Sequence, residues 1–148
     1  MSKINDNTGF GFLGIPYQKR LITQLVTDYK FASNIMTIID ANYFTDSHLR
    51  IIVSEIKEAY EGEDVVVDFE SLGYRLNNRG DNETVKMYID AQIEQLKEMT
   101  LKDSEFIQDM AMKFCKQQEL RKSVCEIQEI IDKGDLDSYD PCEEILKK

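Results

Sequence analysis

Between Asp103 and Gly134 the sequence carries an unbroken helical pattern, and a helix of that length constrains the fold more than any other feature of the chain. Apolar residues recur at three- and four-residue steps, first as Phe106, Ile107, Met110, Ala111 and Phe114, then as Leu120, Val124, Ile127, Ile130 and Ile131. No proline interrupts the run. Asp103 and Ser104 stand where a side-chain oxygen caps the first free N–H groups, and Gly134 stands where a left-handed residue ends a helix. The seam Phe106, Met110, Lys113, Gln117, Leu120, Val124, Ile127, Ile131 is polar in its middle third, where a continuous coiled coil requires apolar residues. One end of the helix is therefore expected to pack on a globular head, and the other to project as an arm. After a turn at 135–140, Pro141 opens a second helix through Cys142, Ile145 and Leu146, the return strand of a helical hairpin. Its cut at Lys148 leaves that hairpin truncated and reads as part of a longer protein.

The preceding residues supply the head. Residues 1–15 combine polar side chains with Gly9, Gly11 and Gly14 and are expected to form a flexible tail, with Phe10, Phe12 and Leu13 its only apolar patch. Pro16 opens a helix bearing Tyr17, Leu21, Ile22, Leu25 and Val26 on one face, and a second short helix is expected over 29–39. Thr45 or Asp46 caps a third, which carries Leu49, Ile52, Val53, Ile56 and Tyr60 and is expected to stop at Gly62. Val65, Val66 and Val67 have no second strand to pair with and read as an extended connector. Asp68 caps a fourth helix with Leu72 and Leu76, and a fifth runs from about Glu83 to Met99 with Val85, Tyr88, Ile89, Ile93 and Leu96 inward. The expected fold is all-α, with a tail at 1–15, a helical head at 16–102 and the long helix with the start of its return at 103–148.

Charge narrows the choice of partner. The 28 acids against 18 basic residues leave a net charge of -10, which opposes neutralisation of nucleic-acid phosphates over a broad surface. The acids concentrate at 55–70 and 126–144, as solvated faces or as a site for a basic partner. Cys115, Cys125 and Cys142 are odd in number and form no C-x-x-C pair, which argues against a disulfide framework and a zinc site and fits a reducing cytoplasm. Neither a signal peptide nor a membrane span is legible.

No phosphate loop, H-E-x-x-H pair or G-x-S-x-G elbow is present, and His48 stands alone in the first turn of the third helix, where it reads as structural. No residue is assigned a catalytic, cofactor or metal role, and the segment reads as non-catalytic. The exposed stripe Leu120, Val124, Ile127 and Ile131 is too long for the apolar residues of 141–148 to cover, so it is expected to be a self-association surface shared with a second copy.

The order of these features resembles the N-terminal domain of DnaB-type replicative hexameric DNA helicases. The likeness is densest over Ala41-Asn42-Tyr43-Phe44-Thr45-Asp46-Ser47-His48-Leu49-Arg50-Ile51-Ile52, similar to the family's aromatic pair, short polar turn and histidine at a helix start. Ala59-Tyr60-Glu61-Gly62 followed by Val66-Val67-Asp68 continues it, and Glu119-Leu120-Arg121-Lys122 resembles the basic pair midway along the family's hairpin helix. Helix one lacks that family's acidic residue and glycine, and 78–84 lacks its double glycine. The resemblance implies a six-helix head with a helical hairpin, dimer and hexamer formation, and a docking surface for primase or a helicase loader. It also implies that ATP, Mg and DNA belong to a RecA-like motor absent from these residues. The competing class is a free-standing helical adaptor or replication regulator with no motor, distinguished by whether a linker and a phosphate loop are encoded beyond Lys148. A small metal-dependent helical enzyme has little support, because no E-x-x-H pair occurs.

Overall fold

The computed structural model describes residues 9–134 and 144–146. Within them the chain is all-α: α1 (Gly14–Thr27), α2 (Tyr29–Ile35), α3 (Ser47–Glu63), α4 (Phe69–Asn77), α5 (Glu83–Lys97) and α6 (Ser104–Lys133), with 3-10 turns at Phe10–Leu13 and Ala41–Tyr43. No strand occurs among the described residues, and 65–67 is an extended connector whose Val67 is buried. The turn expected at 135–140 lies outside the described residues, as does most of the return helix at 141–148; residues 144–146 are helical.

Short polar residues start most of these helices. Asp28 accepts from the Phe31 N–H at 3.1 Å, Asp46 from His48 and Leu49 at 2.8 and 3.0 Å, Asp68 from Ser71 at 2.8 Å and Asn82 from Val85 at 2.9 Å. Each such cap stabilises its helix by about 1 kcal/mol. Long α6 starts differently from the expected pattern. Asp103 takes a left-handed φ of 61°, and the Ser104 hydroxyl donates back to the Leu101 carbonyl at 2.5 Å. At the other end Gly134 adopts the left-handed conformation its type allows, at φ 69°.

α3 does not stop at Gly62. That glycine is helical, and the left-handed residue is Asp64, at φ 56°. Its N–H donates to the Tyr60 carbonyl, the single closing bond of a left-handed helix end, and the Val65 N–H donates to the Ala59 carbonyl. α2 is likewise shorter than expected, ending at Ile35, while Met36 and Ile39 beyond it remain buried.

The chain divides into two compact units, 1–112 and 113–148. In the first, α1 packs on α2 and α5, while α3, α4 and α5 pack on one another. Leu21, Ile22, Leu25, Ile35, Met36, Phe44, Leu49, Ile52, Ile56 and Leu72 are fully buried there, at roughly 1.5–3 kcal/mol for each large side chain removed from water. Polar stitching accompanies this core: the Tyr17 hydroxyl donates to the Ile107 carbonyl at 2.8 Å, and Thr23 Oγ1 donates to that of Leu96 at 3.1 Å.

A flexible tail through residue 15 is not what the structure shows from residue 9 onward. Phe10 is fully buried, its ring centroid 5.9 Å from Tyr17, 5.8 Å from Tyr43 and 5.2 Å from Phe44. Gly9 lets the backbone approach closely, since a Cβ there would lie 2.7 Å from the Tyr43 carbonyl oxygen. The Gln18 carboxamide closes the arrangement by donating to Thr45 Oγ1 at 3.0 Å and to the Phe10 carbonyl at 3.4 Å, while accepting from the Thr45 N–H at 2.9 Å. Residues 1–8 of the expected tail lie outside the described residues.

Candidate functional site

Two surfaces carry the residues of interest. The first is the distal half of α6. Leu120, Val124, Ile127 and Ile131 follow one another at steps of four, three and four residues, so they share one face of the helix. Leu120 is 64% exposed, Val124 57% and Ile131 49%, with Ile127 half-buried. Polar pairs lie along the same stretch: Lys122 Nζ is 3.7 Å from Glu119 Oε1, and Gln128 Nε2 donates to Asp132 Oδ1 at 2.8 Å.

The buried residues of α6 are Ile107, Ala111, Phe114, Cys115 and Gln118, whereas Phe106 is exposed. The single seam from Phe106 to Ile131 is thus not one face of burial. At 3.6 residues per turn, the buried positions 107 to 118 point about 150° away from the direction of Leu120 and Val124. The apolar character of the helix changes sides between its two halves, around the polar positions Lys113 and Gln117.

The second surface is a groove of about 790 Å³ lined by Glu55 and Glu58 of α3, by Glu70, Ser71, Tyr74 and Arg75 of α4, and by Asn78 and Arg79 just beyond it. Its organising residue is Glu55, only 7% exposed. Arg75 Nη1 lies 3.6 Å from Glu55 Oε2, and Arg79 Nη1 lies 3.7 Å from Glu55 Oε1. Arg75 also hydrogen-bonds Glu63, and Arg79 Nε pairs with Asp81 Oδ2 at 2.7 Å. The Glu63 hydrogen bond, followed by the charges of Glu63 and Glu55, raises the Arg75 guanidinium above its ordinary range. Burying a carboxylate costs several kcal/mol unless it is paired, which explains two arginines on one acid. Glu58, Glu70 and Tyr74 form the open rim, with Tyr74 73% exposed.

His48 stacks on Tyr88 with ring centroids 5.1 Å apart and planes 20° from parallel, and its Nδ1 is 3.8 Å from Asp46 Oδ1. Among the described residues no three His, Cys, Asp or Glu side chains gather in a way that holds a metal ion, and no helix is long and apolar enough to cross a membrane. Sequence patterning missed the Glu55–Arg75–Arg79 cluster. Arg75 lies on α4 and Arg79 in the turn just beyond it, so helical spacing gives no local signal for the pair.

No family model, curated protein or solved structure matches this chain.

Proposed function

We propose that this chain is an assembly and partner-docking domain of a DnaB-type replicative DNA helicase, acting in the cytoplasm and itself non-catalytic. Its self-association surface is the face of α6 that bears Leu120, Val124, Ile127 and Ile131. The supporting observation is that three of these four apolar side chains are about half or more exposed on a single helical face. The resemblance over Ala41–Ile52 supports the helicase part. In that stretch Tyr43 and Phe44 are buried and Asp46 caps α3, so the matching residues are the ones that set the turn and the helix start. On this reading the chain pairs with a second copy, contributes to a hexamer collar and receives primase or a helicase loader, while ATP, Mg and DNA are handled by a motor domain.

Burying each exposed side chain contributes roughly 1.5–3 kcal/mol, against an association cost on the order of 4–15 kcal/mol. The expected self-association is therefore weak to moderate. Sedimentation of wild type and Val124→Asp across micromolar concentrations tests it. Wild type should show reversible dimerisation that the variant loses with an unchanged helical spectrum. Two identical monomers would refute the surface. The docking part is tested by co-sedimentation with the primase and the loader encoded by the same genome; binding to neither refutes it.

A further inference from the structure

We propose that the groove between α3 and α4 is a docking site for a basic segment of a partner protein, seating an arginine or lysine side chain between Glu58, Glu70 and the ring of Tyr74. The inference stands on the groove alone and does not rest on the helicase reading.

Charge decides the class of ligand. Both guanidinium groups at the groove are already engaged, Arg75 by Glu55 and Glu63 and Arg79 by Glu55 and Asp81. The groove is lined by three carboxylates, Glu55, Glu58 and Glu70, against two guanidinium groups, and Glu63 and Asp81 add two more acids as partners of those arginines. An anionic ligand would have to displace an existing carboxylate from each arginine, whereas a cationic one meets acids that form no ion pair among the described residues. Glu70 and Tyr74 are four residues apart on α4, so carboxylate and ring lie on one face of that helix. A guanidinium or ammonium held against an aromatic face beside a carboxylate gains from both. The arginine pair has a different part: it neutralises buried Glu55 and so fixes the floor, giving the rim acids a rigid support. Tyrosine and a neighbouring pocket are also the combination that concentrates binding energy in protein interfaces.

The test uses the full chain, isotopically labelled, titrated with a short blocked peptide that carries two arginines and no acid and followed by nuclear magnetic resonance. Saturable shifts are expected at residues 55–58 and 70–79. Glu58→Gln with Glu70→Gln should weaken binding about tenfold, since each partly exposed charge contributes modestly. Tyr74→Ala should weaken it several-fold, while Glu126→Gln with Glu129→Gln on α6 should leave it unchanged. The proposal is overturned by any of four results: no saturable shift, shifts spread over all the acids or centred on α6, a double rim variant that binds as wild type does, or inorganic phosphate moving the same groove resonances.

Discussion

Replacing Phe10 with alanine tests whether the N-terminal turn belongs to the folded unit. The ring is fully buried and meets Tyr17, Tyr43 and Phe44 at centroid distances of 5.9, 5.8 and 5.2 Å. Truncating a core phenylalanine costs about 3–5 kcal/mol, through lost transfer energy and the cavity left behind. A domain of this size has about 5–15 kcal/mol in total, so the variant forfeits a large share of its stability. Phe12 is the internal control. It lies two residues away in the same G-F-G-F run yet is 53% exposed, and its alanine variant should lose clearly less stability than Phe10→Ala. Urea unfolding followed by far-ultraviolet circular dichroism measures both, and a lower midpoint at unchanged slope identifies a loss of stability rather than a changed unfolded state. A Phe10→Ala loss below about 1 kcal/mol, or equal losses at the two positions, would refute the packing argument.

Two further outcomes are expected. Gly62→Ala should raise stability by about 0.5–1 kcal/mol, because Gly62 is helical and a Cβ there meets nothing, whereas Gly134→Ala, at φ 69°, should lower it; thermal melts compare them. The carboxyl of Asp68 is held below its ordinary 3.8 chiefly by the Ser71 N–H, and that of Asp28 chiefly by the Phe31 N–H with Gln108 adding to it. Both folded-state values are depressed, so the stability they contribute is present above 3.8 and is lost as pH falls through the lowered values. Urea titrations at successively lower pH should show that loss, with Asp68→Asn giving a shallower decline.

Helix starts were readable because capping is local: Asp46 and Asp68 lie within three residues of the N–H groups they satisfy. The end of α3 was not readable, since Gly62 offers conformational freedom that the helix does not use, and Asp64 adopts the left-handed turn that a short polar side chain tolerates. The inward face of α6 was ambiguous for a different reason. Phe106 and Ile107 are adjacent, so periodicity cannot say which of the two is buried, and tertiary packing selects Ile107. For the α6 stripe, spacing alone put Leu120, Val124, Ile127 and Ile131 on one face. The α3–α4 groove, by contrast, depends on Glu55 meeting arginines 20 and 24 residues later, a pairing that no local pattern encodes. The N-terminal turn was hidden by its glycines, which look like slack in the sequence but at Gly9 make room for the Tyr43 carbonyl.

The Gln18 side chain has a consequence for how the molecule breathes. One carboxamide serves as both donor and acceptor to segments on either side of it, reaching back to the Phe10 carbonyl and forward to the Thr45 N–H and hydroxyl. Lifting Phe10 out of its site strips one bond from that amide and uncovers the aromatic residues around it. Releasing Thr45 loosens the approach to α3 and removes the amide's other partners. The two events share a side chain that is itself buried, where an unpaired polar group costs about 1–3 kcal/mol. The two are therefore expected to open as one cooperative unit, with the exchange rate of the Thr45 amide proton reporting on the N-terminal turn that holds Phe10.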